Sequence, residues 1–282
     1  NYMLPYNKKM FGEDFKNLGT YWLNKLPNVS FDETLRSCLN KIAYGSQPGH
    51  AQFYYPKKYG YGELWLRMAK KLENKIKYNV SVSGIDFSNR TVTTKCGKKL
   101  SADKIITTVP WVALEQSTNM YDGAKYDIEK LKNNSIQTDY YPNTLNTNAH
   151  WIYYPCDNLA HHRVLVRHNF LNGSTGYWTE TAAQRVGMIS EKSNFSHFNQ
   201  FAYPLNTIGK PEIMEKLLNW SSTRGVYGLG RWGEHEHYNS DVTVEKAITL
   251  GRSIFENNTS GEVSEISKII GESYFNLNSF VE

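Results

Sequence analysis

The stretch that decides the fold of this chain is GLGRWGEHEHYNSD, residues 228–241, and a helical pattern follows it through about Phe255. Glycines in a turn let the backbone approach a ligand closely, and the start of the following helix offers unpaired N–H groups and a partial positive charge. Arg231 adds a full positive charge to the same turn. The stretch therefore predicts an anion-binding site at a helix N-terminus.

The composition argues against two classes of partner. The chain has 282 residues, of which 40% are hydrophobic and 21% are charged, as in an ordinary globular protein. Its net charge of +5 is mild and its basic residues are scattered, so nucleic acid is not indicated. The sequence has no apolar run long enough to cross a bilayer, and it does not open with a signal peptide.

Cysteine and histidine usage argues against a disulfide framework and a metal site. Cys38, Cys96 and Cys156 include no C-x-x-C pair, which favours a reducing compartment, and we predict a cytoplasmic protein. His235 and His237 alternate in the sequence without an evident third ligand, so we predict no bound metal.

The remaining patterns predict an α+β fold with antiparallel sheet in the second half. Trp65 is expected in the core, and Val244 and Ile248 are expected on the buried face of their helix. The predicted helices are Glu33–Ala43 with Asp32 as N-cap, Glu63–Leu72, Pro211–Trp220 and Val242–Phe255, with helix-like patches at Val112–Gln116 and Asp127–Lys132. The predicted strands are Phe53–Pro56, Lys75–Val80, Val82–Phe87, Thr91–Lys95, Lys104–Val109, His150–Tyr154, Arg163–Phe170, Gly176–Thr181 and Val226–Gly230.

Three stretches together resemble one superfamily of flavoproteins. Residues 228–241 are similar to the C-terminal flavin-binding motif of the FAD-dependent amine-oxidase and protoporphyrinogen-oxidase superfamily. Residues 53–65 (FYYPKKYGYGELW), the hairpin with Ile85-Asp86 and a strand ending at Pro110 resemble its central part. Residues 151–163 (WIYYPCDNLAHHR) resemble a segment of the UDP-galactopyranose mutases within it. The resemblance covers roughly residues 1–255.

This resemblance implies an incomplete Rossmann-like FAD domain plus an antiparallel-sheet substrate domain and helices. Superfamily members open with a strand, a Gly-x-Gly-x-x-Gly turn and a helix. We predict that this element is absent from the chain and that the Gly-rich stretch Gly225–Gly233 does not have its spacing. We therefore expect that the N-terminal portion was left out, that it lies on another chain, or that autonomous FAD binding has been lost. The predicted parts are 1–52 (uridine-binding helices), 53–110 (FAD-binding part), 111–220 (substrate sheet), 221–256 (C-terminal FAD motif) and 257–282 (tail).

The resemblance also implies site residues. A diphosphate needs a guanidinium fork and hydroxyl donors. For Arg163 the residues alone leave a structural salt bridge as the alternative. His237 stands where the family has a tyrosine, and Lys25 stands where it has an arginine. The implied diphosphate clamp is Tyr153, Arg163, Tyr203 and Arg231. The implied uridine contacts are Asn7 and Phe11, with His237 as a further substrate contact, and the implied catalytic set is Arg231, Arg163 and Lys25. The implied flavin contacts are Gly230, Arg231, Gly233, Asn239, Ser240 and Asp241.

Three functions remain open from the sequence. The first is a mutase that interconverts UDP-galactopyranose and UDP-galactofuranose without net redox change, reduced FAD attacking the anomeric carbon through its N5 atom. The second is an FAD-dependent oxidoreductase of the amine-oxidase type, which does not need Asn7, Tyr153 and Arg163 together. The third is a non-catalytic relative that binds a nucleotide sugar. A homo-oligomer is compatible with each of the three.

Overall fold

The computed structural model describes residues 3–12, 15–20, 30–42 and 53–256. Lys25 and the tail 257–282 lie outside these residues, so their predicted roles stay predictions. The chain divides into two compact units, and each unit is built from two segments of the sequence. The first unit comprises Asn1–Lys77 and Asn134–Ala202, and the second comprises Tyr78–Asn133 and Tyr203–Glu282.

The described chain begins with three helices, after which runs of strands are separated by helices. The helices are α1 (Met3–Phe11), α2 (Phe31–Asn40), α3 (Tyr61–Lys71), α4 (Ala124–Glu129), α5 (Arg167–Phe170), α6 (Lys210–Ser222), α7 (Gly230–Gly233) and α8 (Ser240–Glu256). The strands are β1 (Val82–Asp86), β2 (Thr91–Thr94), β3 (Lys99–Ser101), β4 (Ile105–Thr107), β5 (Asn133–Tyr141), β6 (Trp151–Tyr153), β7 (Arg163–Val166), β8 (Tyr177–Ala182), β9 (Phe195–Pro204) and β10 (Val226–Gly228). None of the described helices is both long and apolar enough to cross a bilayer.

A five-stranded sheet forms the centre of the first unit, in the order β6-β7-β8-β5-β9. Strand β8 pairs antiparallel with β7 on one side and with β5 on the other. Val164 and Val166 of β7 and Ile136 of β5 are buried, and so are Tyr6 and Met10 of helix α1. The predicted α+β class with an antiparallel sheet in the second half is therefore confirmed.

The second unit contains a three-stranded antiparallel sheet, β1-β2-β3, and a parallel pair, β4 with β10. Its apolar core joins both segments of the chain: Phe87 and Trp111 pack with Leu217 of α6 and Val226 of β10. The predicted hairpin through Asn89 is present, with Ile85 opposite Val92. This core fixes the position of the turn that follows β10.

Several predicted elements differ from the structure. Helix α2 is capped by Ser30, whose hydroxyl accepts the Glu33 N–H at 3.1 Å, and not by Asp32. The predicted strand from Arg163 ends at Val166, because the chain turns into α5 there. Residues 53–56 and 76–80 are not strands, since neither stretch has a ladder partner among the described residues.

Apolar residues on two helices are more exposed than their spacing predicts. The exposed fraction is 38% for Trp65 on α3, and it is 39% for Val244 and 51% for Ile248 on α8. In contrast, Ile254 near the end of α8 is buried at 6%. Helical spacing identified the apolar faces, but it does not show whether another element covers them.

Candidate functional site

The first unit brings two predicted clamp residues side by side. Tyr153 of β6 and Arg163 of β7 are direct partners in the antiparallel ladder. Arg163 is in turn opposite Glu180 of β8. The Nε and Nη2 atoms of Arg163 lie 2.8 and 2.6 Å from the same carboxylate oxygen, Glu180 Oε2. The structural salt bridge that the sequence left as an alternative is thus present, on the arginine predicted to bind the diphosphate.

Helix α1, which contains the predicted uridine contacts, is anchored next to this pair. The Tyr6 ring meets the Tyr153 ring edge-on, with centroids 5.4 Å apart. The buried Lys9 ammonium donates to the carbonyls of Tyr154 (3.1 Å) and Cys156 (2.8 Å) in the β6–β7 loop. Burial, followed by the charge of Arg185, lowers the pKa of Lys9. Lys9 therefore holds α1 against the hairpin, a role that its sequence context did not reveal.

The two predicted uridine residues differ in their surroundings. Asn7 is buried, and its side-chain Nδ2 donates to the Met3 carbonyl one turn earlier at 2.7 Å. Phe11 is the last residue of α1 and is partly exposed. Gly12 follows with a φ of +65°, and a Cβ there would lie 2.3 Å from the Gln184 side chain. The positive φ of Gly12 ends the helix directly after Phe11.

A buried histidine, His162, lies next to the Arg163–Glu180 pair. His162 has no measurable exposure, and neither ring nitrogen has a hydrogen-bond partner among the residues that the structure describes. Burial lowers the pKa of His162 to about 3, with smaller contributions from the positive charges of Arg163 and Lys9. The imidazole is therefore neutral near pH 7.

Acid is expected to destabilise the protein because of this histidine. The unfolded-state pKa of histidine is about 6.5, above the folded value of about 3. Between these values the unfolded state binds the extra proton, so stability falls as the pH falls below about 6.5. Lowering the pH from 7 to 4.5 should cost about 2–3 kcal/mol through His162 alone. Denaturant unfolding at the two pH values measures this loss.

Two variants test the assignment of that acid sensitivity. His162→Leu should lose less stability between pH 7 and 4.5 than the wild type does. The matched control is His197→Leu, because His197 is exposed on β9. Equal acid sensitivity in wild type and His162→Leu would show that His162 is not responsible.

The second unit gathers three other predicted site residues. The rings of Tyr203 and His237 are in contact, with centroids 4.7 Å apart. The Arg231 guanidinium lies over the Tyr203 ring, 5.3 Å from its centroid, and Nη2 donates to the Tyr238 carbonyl at 2.9 Å. Burial lowers the pKa of Arg231, although an arginine keeps its charge in proteins. A cation, a phenol and an imidazole therefore form one polar cluster.

The prediction that Gly225–Gly233 does not have the Gly-x-Gly-x-x-Gly spacing was wrong. Gly228, Gly230 and Gly233 have this spacing, and they follow strand β10. A Cβ on Gly228 would lie 2.2 Å from the Gly233 carbonyl oxygen, and a Cβ on Gly233 would lie 2.3 Å from that of Thr107. Gly230 has a φ of +72°. Each glycine is thus required by the backbone geometry of the turn.

This turn nevertheless differs from a dinucleotide-binding turn. Helix α7, which begins within the turn at Gly230, has four residues and is too short to present the dipole of a long helix. The Gly230 N–H donates to the Glu234 carboxylate at 2.9 Å, where a phosphate would otherwise accept it. Lys246 lies 2.9 Å from the other oxygen of Glu234. A protein carboxylate therefore fills the anion position of the turn.

The start of α8 completes the glycine-rich motif. The predicted flavin contacts Asn239, Ser240 and Asp241 lie there, and Ser240 and Asp241 are exposed. The first N–H groups of a helix have no partners within it, so they can bind an anion or a polar edge. Trp111 supports the preceding turn, since its indole N–H donates to the Gly233 carbonyl at 2.8 Å.

A buried lysine that the sequence patterns did not single out holds the segment between α7 and α8. The Lys210 Nζ donates to Asn206 Oδ1 at 2.9 Å and to the His235 carbonyl at 3.1 Å, and it pairs with the Glu236 carboxylate. His235 has a φ of +51°. Its Nε2 lies 2.9 Å from the Lys132 carbonyl, and burial lowers its pKa to about 4. These contacts place His237 beside Tyr203.

His235 and His237 therefore have different environments. The His235 ring is buried and bound to main chain, whereas His237 is partly exposed against Tyr203. Within residues 3–12, 15–20, 30–42 and 53–256, no group of three potential ligands could hold a metal ion.

Comparisons with known proteins place this fold. The model of the flavin containing amine oxidoreductase family matches residues 7–143. A solved structure of reduced UDP-galactopyranose mutase has a TM-score of 0.80 and 20% identity, covering 92% of this chain and 65% of that chain. A fatty acid isomerase from P. acnes that produces CLA has a TM-score of 0.58 and 15% identity, covering 89% of this chain and 62% of its own. A comparison with curated proteins finds no match.

The fold is thus similar to that of reduced UDP-galactopyranose mutase. This likeness and the family-model match over residues 7–143 confirm the resemblance stated from the sequence. This chain spans 65% of the length of the solved mutase.

Proposed function

We propose that this chain binds a UDP-sugar and acts with a flavin as a mutase-like intramolecular transferase. The observation that supports this most is the local arrangement of the first unit. Tyr153 and Arg163 are ladder partners, and Tyr6 and Lys9 fix α1 against the same hairpin. A helix with the uridine candidates and a hairpin with the diphosphate candidates therefore belong to one compact unit.

The cluster in the second unit fits the same ligand class. Tyr203 and His237 offer a hydroxyl and an imidazole, and Arg231 offers a guanidinium next to both. Charge-assisted hydrogen bonds of this kind suit a diphosphate. The proposed roles are orientation of the phosphates by Tyr203 and His237 and neutralisation of their charge by Arg231. Lys25 keeps the role that the resemblance implies.

The proposed cofactor is FAD, held in part by Arg231 and the first turn of α8. When bound in its reduced form, the flavin would supply a nucleophilic N5 atom for the anomeric carbon of the sugar. The chain's own residues bind the leaving UDP and stabilise its negative charge. Because Glu234 occupies the Gly230 N–H, the turn at Gly230 is not proposed to hold the FAD pyrophosphate.

Two other functions have specific support. The matching family model describes flavin containing amine oxidoreductases, so an oxidoreductase is the first alternative. The Glu234 carboxylate on the Gly230 N–H favours a relative that binds nucleotide sugars without a flavin and without catalysis. Three exposed free cysteines accord with the reducing, cytoplasmic setting that we propose in each case.

Calorimetric titration with UDP and with uridine tests the binding proposal. UDP should bind roughly tenfold or more tightly than uridine, because only UDP offers phosphates to the arginines. The control is Arg252→Ala on α8, which removes an exposed arginine that has no proposed role. Equal affinity for UDP and uridine, or no binding of either, would contradict the proposal.

A second measurement separates the catalytic alternatives. The chain is incubated with FAD, freed of unbound flavin and examined by visible absorption, then assayed with UDP-galactopyranose under reducing conditions. A mutase should form the furanose isomer without consuming oxygen, whereas an oxidoreductase should consume oxygen with its own substrate. UDP binding without flavin retention or isomerisation would favour the non-catalytic relative.

A further inference from the structure

The salt bridge on Arg163 competes with ligand binding, an inference that rests on the proposed function. The Nε and Nη2 atoms of Arg163 both contact one atom of Glu180, Oε2. A diphosphate that recruits this guanidinium competes with the carboxylate. Glu180 is mostly buried, with 14% of its side chain exposed. A carboxylate that loses its cation in such a place is costly unless another donor replaces it.

His162 is placed to be that donor. Its Nε2 lies 3.7 Å from Glu180 Oε2, too far for a hydrogen bond but within reach of a small rotation. Among the described residues it has no other hydrogen-bond partner for either nitrogen. The main-chain N–H of His162 donates to the Glu180 carbonyl at 2.9 Å, so the two residues stay adjacent. Because Glu180 Oε2 already accepts two contacts from Arg163, the His162 imidazole is not within hydrogen-bond distance of it.

We propose that His162 is a positioning residue. It replaces Arg163 as the hydrogen-bond donor to the Glu180 carboxylate when Arg163 binds a diphosphate. In the free protein Arg163 neutralises Glu180. In the bound protein the His162 Nε2–H donates to Oε2, and Arg163 is released without leaving a buried carboxylate unpaired. No bond is made or broken in this exchange beyond hydrogen bonds. This exchange would account for a buried His162 ring that has no hydrogen bond to the described residues in the free protein.

The charged and titratable neighbours of His162 come from α1, from β7 and the loop before it, and from β8. Lys9 and Tyr6 belong to α1, His161 and Arg163 flank His162, and Glu180 belongs to β8. Glu180 is the acidic group among them. Removing Arg163 should therefore leave Glu180 to interact with His162 even when no ligand is present.

The first test needs no ligand. NMR of 15N-imidazole-labelled protein follows the tautomer and pKa of His162 in wild type, Glu180→Gln, Arg163→Met and Arg163→Met/Glu180→Gln. The expected result is an Nε2–H tautomer in Arg163→Met and a His162 pKa at least about one unit higher than in the double variant. Glu180→Gln alone should change the His162 pKa less. The His197 signal comes from an exposed ring and should be the same in all four proteins at a given pH.

Two results would overturn the proposal: an Nδ1–H tautomer in Arg163→Met, or the same His162 pKa with and without Glu180 in that background. Arg163→Lys provides the same comparison if Arg163→Met does not fold, since an ammonium lacks the planar fork. If His162 only packs, Arg163→Met should change neither its tautomer nor the difference in its pKa between the single and the double variant.

The second test uses UDP. His162→Leu should weaken UDP binding about tenfold while Glu180 is present, and should have little effect in a Glu180→Gln background. An equal loss in both backgrounds would overturn the exchange. If the wild type binds no UDP, the proposed function fails, and the ligand-free NMR comparison still decides whether His162 pairs with Glu180.

Discussion

Arg163→Ala is expected to weaken UDP binding by roughly tenfold to a hundredfold, about 1.5–3 kcal/mol. Arg163 is the guanidinium next to Tyr153 in the β6–β7 ladder. Its planar fork suits two phosphate oxygens, and no other residue type reproduces that geometry. Calorimetric titration of UDP into wild type and variant measures the loss. Arg163→Lys should recover part of it, because the charge remains while the fork is lost.

The matched control is Arg167→Ala, four residues further along the chain. Arg167 lies on α5 in the same unit, where its guanidinium rests on the Tyr140 ring and donates to the Thr175 carbonyl at 3.3 Å. Its removal should leave UDP affinity unchanged. If the two alanine variants bind UDP equally well, Arg163 is a structural salt-bridge residue and the clamp is wrong. Unfolding curves of both variants show whether either one has lost its fold.

Gly233→Ala is expected to destabilise the protein by about 3 kcal/mol or more, as overpacking against rigid neighbours does. The added Cβ would lie 2.3 Å from the Thr107 carbonyl oxygen and 3.0 Å from the Gly228 carbonyl carbon. Both neighbours are main chain, and Thr107 ends the strand that pairs with β10. The parallel pair would have to separate to accept one methyl group. Denaturant unfolding measures the change.

Gly251→Ala is the control for that substitution. Gly251 lies within α8, and a Cβ there meets no atom within 4 Å. Alanine is favoured over glycine in a helix interior by about 0.5–1 kcal/mol, so this variant should be as stable as the wild type or more stable. Equal stability of both alanine variants would contradict the close packing at Gly233.

Sequence patterns identified the helices and strands that contain clustered apolar residues and are bounded by turn residues. The hairpin of β1 and β2 was predicted because the turn at residues 88–90 (SNR) separates Val82–Phe87 from the alternating run Thr91–Lys95. Strands β5 and β9 were missed. Strand β5 reads NNSIQTDYY, and its alternation of buried and half-buried positions comes from the neighbours on either side. Only the folded sheet supplies those neighbours.

The candidate site was predictable in its residue types but not in its pairings. The resemblance selected Arg163, Tyr203 and Arg231, and the structure adds the groups that hold them: Glu180 for Arg163 and Lys210 for the segment before His237. These partners come from distant parts of the chain. Neither has a local motif, so sequence spacing could not identify them.

The division of the chain has a consequence for how the protein is made. Each unit needs two stretches of sequence that are far apart, and the chain passes from one unit to the other near Lys77, Asn133 and Ala202. The first unit cannot be completed during synthesis until Ala202 has left the ribosome, and by then Tyr78–Asn133 is waiting for its own second half. Such long-range closure slows folding and exposes apolar surface meanwhile. Neither unit can be produced alone as one uninterrupted piece, so a shortened gene product that keeps one unit and drops the other would need its two segments rejoined by a new linker.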